Sequence, residues 1–301
     1  MFQSRTHEVN GQRIHALHAG PDDGPLMLLL HGFPEFSHAW SAVAPHFADT
    51  HRVVMPDQRG CGRSSRPEGV ESYRPRLLAA DMIALVESLA PLGGTVTLCG
   101  HDWGASVAYA MTFHRPDLVA RLVVANGAHP VTFQRALLAI GAQTRASRYI
   151  DTLRRPDAAE RMSEDGFRRT FSMLSKFSTV SWLDDETRAL YRDVWREALP
   201  TMLHWYRATP LEVPPEGAAA RAVPFTVEAL ERFRVRCPHL VVWGMRDTAL
   251  LPEAREGLEA FCADLTVHEI ADASHWLLHE RPGEVAAAMD AWLAEERPTV
   301  S

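Results

Sequence analysis

Apolar residues along this chain follow two rhythms. Short continuous runs at residues 26–30 and 52–56 end abruptly in His31-Gly32-Phe33-Pro34 and Asp57-Gln58-Arg59-Gly60, as strands buried on both faces do. Ahead of them, residues 6–19 are divided by Asn10-Gly11, a pair that accepts the positive φ of a hairpin turn, which predicts two short leading strands. Residues 81–89 carry apolar positions at helical spacing, and Gly93-Gly94 then opens a third run at 95–99. Gly100 to Gly104 must turn the chain. Residues 105–114 are helical again until Arg115-Pro116, and 122–125 read as a further strand before Asn126-Gly127. Strand, loop and helix recurring in this order imply a parallel, doubly wound sheet.

The rhythm changes after Pro130. Roughly ninety residues there keep helical periodicity and many charges, with no strand-like run before Pro214-Pro215. Sheet character resumes at 239–242 and 265–270, followed by a last helix at 283–293. The expected organisation is a core of residues 1–130, a helical insertion at 131–222 and the rest of the core at 223–301. A chain of 301 residues suits one large α/β domain with an inserted subdomain.

Composition adds mostly exclusions. A net charge of −7 argues against nucleic acid or an anionic membrane as the main partner. The first thirty residues lack a basic stretch followed by an apolar signal core, so the expected address is cytoplasmic. Cys61, Cys99, Cys237 and Cys262 have no metal or redox spacing and are expected to be buried free thiols. Lys176 is the only lysine, and the arginine-rich balance carries no functional weight.

The chemistry concentrates at Gly100-His101-Asp102-Trp103-Gly104, which lies between a strand and a helix, the context of a nucleophile elbow. Small residues at 100 and 104 permit the tight turn, and the central residue is held at a helix N-terminus, where negative charge is favoured. Aspartate in that place selects the substrate. A serine opening an epoxide would leave a stable ether, whereas a carboxylate leaves an ester that water can cleave. Hydrolysis then requires a base, a group to orient it and oxyanion donors. Asp247 ends the strand run Val241-Val242-Trp243-Gly244, and His275 follows the last strand, so nucleophile, acid and histidine come in the order this fold uses. The expected donors are the backbone N–H groups of Phe33 and Trp103. Among fifteen histidines, His101 is expected to pack beneath the elbow.

His31-Gly32-Phe33-Pro34-Glu35, Asp57-Gln58-Arg59-Gly60, Gly100-His101-Asp102-Trp103-Gly104 and Ser274-His275-Trp276 together resemble the soluble epoxide hydrolases of the α/β-hydrolase superfamily. The likeness covers nearly the whole chain. It implies an α/β-hydrolase fold with a mostly parallel eight-stranded sheet flanked by helices and a helical cap inserted after the sixth strand. It also implies two cap tyrosines over the nucleophile. Tyr206, in His204-Trp205-Tyr206-Arg207, is similar to the second; Tyr149, seven residues before Pro156, resembles the first. Their hydroxyls would hold and protonate the opening oxygen. Tyr73, Tyr109 and Tyr191 are expected to be structural.

Other readings share parts of this pattern. A haloalkane dehalogenase would also use Asp102, Trp103 and His275, but would want an amide side chain where Phe33 stands or a further cap tryptophan, for which Trp182, Trp195 and Trp205 are available. A fluoroacetate (haloacid) dehalogenase would carry Arg at the place of Trp103. A non-catalytic receptor on the same fold would be told apart by its lack of turnover. No metal or cofactor is expected, because carboxylate, imidazole and phenol supply the chemistry and no His-Glu-x-x-His spacing occurs. The expected partner is a small epoxide, with a homodimer left open.

Overall fold

The computed structural model describes residues 2–90, 93–175, 178, 180–224 and 226–296; Lys176 lies outside them. Eight strands form one sheet: β1 Gln3–Val9, β2 Gln12–Ala19, β3 Leu26–Leu30, β4 Arg52–Pro56, β5 Val96–His101, β6 Val119–Ala125, β7 His239–Gly244 and β8 Leu265–Ile270. Their spatial order is β1-β2-β4-β3-β5-β6-β7-β8. The β1–β2 and β2–β4 pairs are antiparallel, and every other pair is parallel. Asn10 and Gly11 turn the leading hairpin with φ of 50° and 69°. The fold is therefore an α/β-hydrolase fold.

Two helices cross over the first half of the sheet: α1, Pro75–Leu89, and α2, Trp103–His114. The first starts six residues before the helix expected at 81–89. Proline at its opening position costs no hydrogen bond and presets φ, and Leu78 and Ala79 add to its buried face. Strands β3 and β7 are buried along their whole length because both faces are covered. Leu28, Val54, Leu98 and Val124 point to one face, against α1 and α2, while Met27, Val53, Cys99 and Val123 point to the other, against Trp40 and Trp292. Truncating such a leucine to alanine would cost about 2–5 kcal/mol.

Between β6 and β7 the chain is helical: α3 Pro130–Leu138, α4 Ala142–Ala146, α5 Tyr149–Arg154, α6 Ala158–Ser175, α7 Asp185–Met202, α8 His204–Ala208 and α9 Val227–Glu231. Helix α6 is broken at Glu164–Phe167, where Asp165, Gly166 and Phe167 take positive φ. Leu153, Phe171, Trp195 and Trp205 from this segment join the same apolar cluster as the sheet's α2 face. That continuity fixes the helices above the C-terminal ends of the strands, where ligands bind in open α/β sheets. After β8 the chain closes with α10, Leu277–Glu280, and α11, Pro282–Ala294. No helix among the described residues is long and apolar enough to cross a membrane. The four cysteines are free.

Candidate active site

Asp102 stands alone between β5 and α2 with φ 52° and ψ −118°, a conformation costing about 1–3 kcal/mol that only the surrounding packing can hold. The packing leaves no room for alternatives. A Cβ on Gly104 would lie 2.2 Å from the Leu30 carbonyl oxygen, and one on Gly100 would lie 2.6 Å from that of Gly104. The loop after β3 comes equally close: a Cβ on Gly32 would lie 2.4 Å from the Asp102 side chain. This approach lets the Phe33 N–H donate to Asp102 Oδ1 at 2.8 Å. The Trp103 N–H is in the first turn of α2, where no intrahelical acceptor exists.

The histidine and second acid converge from the ends of β8 and β7. His275 Nε2 lies 3.6 Å from Asp102 Oδ2, and His275 Nδ1 lies 2.7 Å from Asp247 Oδ2. Asp247 also accepts from the N–H groups of Ala249 and Leu250 at 2.7 and 2.9 Å and from Asn126 Nδ2 at 2.6 Å. Burial alone would raise the Asp247 carboxyl, but the His275 charge and these donors hold it below the ordinary value. For His275 burial works toward a lower pKa, yet Asp247 and the hydrogen bonds to both carboxylates carry it well above that of a free imidazole. His275 thus sits between the carboxyl groups of Asp102 and Asp247.

Tyr149 opens α5 and Tyr206 lies in α8, and their rings meet edge-on at 6.3 Å above the elbow. Tyr206 also packs edge-on against Phe33 at 5.0 Å and Trp103 at 4.9 Å. Burial first, then neighbouring negative charge, pushes both phenols upward, so both hydroxyls stay protonated near neutral pH. Two cavities adjoin them, of about 500 and 260 Å³, and Asp102, Tyr149 and Tyr206 are the residues that line both. His275 and Phe33 face the larger one. No cluster that could hold a metal occurs among the described residues.

The α/β hydrolase fold family matches residues 25–282. The chain is 31% identical to AB hydrolase superfamily protein YfhM of Bacillus subtilis, over 92% of this chain and 93% of that one. It is 30% identical to epoxide hydrolase 2 of Caenorhabditis elegans, over 96% of this chain and 79% of the relative. Among solved structures, a Bacillus megaterium epoxide hydrolase in complex with an inhibitor superposes with a TM-score of 0.85 at 32% identity, over 97% of this chain and all of that one. This chain belongs to the epoxide hydrolases of the α/β-hydrolase fold.

As an epoxide hydrolase it is a hydrolase enzyme, and its site contains parts that the sequence did not reveal. Asn126, at φ 34°, bridges the second acid to the sheet: besides donating to Asp247 it accepts from the Gly244 N–H at 2.6 Å. Asn126-Gly127 reads as an ordinary turn, so only the fold exposes this contact. Glu280 secures the histidine loop by accepting from Ser274 N–H and Oγ at 2.7 and 2.6 Å. His101 lies beneath the elbow, its Nε2 2.8 Å from the His275 carbonyl oxygen and its Nδ1 3.5 Å from Glu35 Oε2. Glu35 further meets His279 at 2.6 Å and accepts from the Tyr191 hydroxyl at 2.7 Å. Burial would raise this carboxyl, but the His279 charge and its histidine partners hold it well below the usual range. Tyr73 and Tyr109 spend their hydroxyls on the Pro67 carbonyl and on His239, away from the site.

Proposed function

We propose that this enzyme converts epoxides to vicinal diols through an ester on Asp102, with residues 131–222 acting as the cap over the site. The observation that carries the reading is an aspartate, rather than a serine, on the elbow, with two protonated tyrosines lining the same cavities. Phe33 holds Oδ1, which leaves Oδ2 as the attacking atom. Oδ2 bonds to a ring carbon, the carbon–oxygen bond breaks, and Tyr149 or Tyr206 gives its proton to the departing oxygen.

The ester changes the electrostatics of its neighbour. Esterification removes the Asp102 charge and its hydrogen bond, two of the influences that raise His275, which favours the neutral imidazole; the proton it gives up passes to solvent and is taken back once the Asp102 carboxylate is restored. His275, oriented by Asp247, then takes a proton from water. The hydroxide adds to the Asp102 carbonyl carbon while the Phe33 and Trp103 N–H groups bind the oxyanion. Collapse expels the diol oxygen with the proton from His275, and the proton left on Asp102 restores the phenol. No cofactor takes part.

Halide release is the second reading, and the cap tryptophans weigh against it. Trp195 and Trp205 donate their indole N–H groups to the Pro34 and Arg59 carbonyls at 2.6 and 3.0 Å, and Trp182 stacks on His279 at 3.8 Å. None of the three lines either cavity beside Asp102. Purified enzyme assayed on terminal, aryl and internal epoxides beside matched bromoalkanes tests the choice. Diol without bromide supports the epoxide reading, bromide without diol overturns it, and silence on both returns the receptor reading.

A further inference from the structure

The two chambers that meet at Asp102 differ in chemistry as well as size. The smaller, about 260 Å³, is walled by Phe113, Phe133, Phe233, Ile150, Leu211 and Leu250, with Arg76 and His114 its ionisable residues beyond the shared three. A dry cavity of roughly 150 Å³ with such a lining is enough for benzene. The larger, about 500 Å³, is roughly twice the size of the smaller and has room for a longer, flexible group. Leu153, Met162, Met173 and Trp276 line it, and Arg161 and Arg169 stand in its wall.

Those guanidiniums are available to a ligand. Their side chains are 44% and 53% exposed, which puts them where the chamber meets solvent. Arg161 touches Asp157 only at 3.6 Å and Arg169 touches Glu164 at 3.3 Å, and neither donates a side-chain hydrogen bond among the described residues. At Ser172 the chamber adjoins a further cleft of about 360 Å³ that adds Arg168, Arg188 and Arg192. Arg168 pairs with Asp165 at 2.8 Å, whereas Arg188 and Arg192 form no ion pair among the described residues. In a chain of net charge −7, one end of the substrate passage is thus positive.

We infer that the preferred substrate is an oxirane substituted on both ring carbons, with a compact aryl group in the phenylalanine-lined chamber and a flexible chain ending in a carboxylate toward Arg161 and Arg169. This rests on the epoxide-hydrolase reading. A terminal epoxide fills one chamber and leaves the other to water; a disubstituted one places its ring at the junction, under both tyrosines. The carboxylate lies far from the reacting carbon and is held alike before and during reaction, so it lowers KM rather than raising kcat.

The test compares three probes: a trans-phenyl oxirane bearing an alkyl chain with a terminal carboxylate, the same compound as its primary amide, and styrene oxide. The expected result is an acid-to-amide ratio in kcat/KM of about tenfold, expressed in KM and shrinking with added salt. In the Arg161→Gln/Arg169→Gln double variant that ratio falls to near one. Because it is taken within one enzyme, any general loss of folding or turnover cancels. Filling the small chamber with Phe133→Trp should lower the ratio of disubstituted to terminal substrate by about tenfold. Equal rates for acid and amide, a ratio unchanged in the double variant, or a wild-type preference for styrene oxide overturns the inference. If styrene oxide is hydrolysed without acid preference, this inference alone fails; if no oxirane is turned over, the functional reading fails with it.

Discussion

Replacing Asn126 with alanine removes two strong contacts from the support of Asp247. One is a 2.6 Å donation to Asp247 Oδ2, the same oxygen that meets His275; the other is a 2.6 Å acceptance from the Gly244 N–H. A hydrogen bond to a charged group contributes about 1.5–3 kcal/mol, and a buried N–H left without an acceptor costs about 1–3 kcal/mol. The backbone at φ 34° adds about 1 kcal/mol for alanine, which tolerates that region less well than asparagine. The expected loss is about 4–7 kcal/mol, or roughly 10–15 °C in Tm. Asn126→Gly omits the backbone cost and should recover part of it. Kinetically, Asp247 keeps the Ala249 and Leu250 donors, so the ester-hydrolysis step should slow about tenfold through poorer orientation of His275. Formation of the ester does not use Asp247 and should change little. Thermal melts and rapid-quench separation of the two half-reactions measure both effects. An unchanged Tm, or ester formation slowed as much as its hydrolysis, would show that Asn126 does not support Asp247 in this way.

The tyrosine pair should behave as a shared donor: Tyr149→Phe or Tyr206→Phe alone should lower kcat/KM on epoxides about 10²-fold, and the double variant should lose nearly all ring opening, as steady-state diol assays will read. Gly32→Ala should cost activity out of proportion to stability, because its Cβ would lie 2.4 Å from the Asp102 side chain; a variant with near wild-type rate would contradict the close approach. The pH dependence of stability has two limbs of opposite sign. His275 is raised, so its contribution is complete below the ordinary imidazole pKa and is lost as pH rises through its higher folded value. Asp247 is lowered, so its contribution is complete above the ordinary carboxylate pKa and is lost as pH falls through its lower folded value. Melting profiles should therefore show a plateau between these limits, and His275→Gln should flatten the alkaline limb.

Much of the core was legible because its signals are local. Residues 26–30, 52–56 and 265–270 are apolar or alternating runs closed by polar loops, and they form β3, β4 and β8. The elbow was legible because its glycines and aspartate are neighbours in sequence. Helix α1 was foreshortened because residues 75–80 have no period of their own until Leu78 and Ala79 find the sheet. The support around the site was harder to see, since it is assembled over long separations. Glu35 meets His101, Tyr191 and His279, and Asn126 meets Gly244 and Asp247. The two chambers likewise depend on how α5, α6 and α8 dock, which no local pattern specifies.

Everything in the proposed chemistry turns on Asp102 itself bonding to the substrate. His275→Gln enzyme incubated with a reactive epoxide, then digested and examined by mass spectrometry, tests it most directly. A stable adduct of substrate mass is expected on the peptide holding Asp102, formed at near wild-type rate with no diol released. Absence of any adduct in the folded variant, while wild-type enzyme turns the same epoxide over, would contradict it.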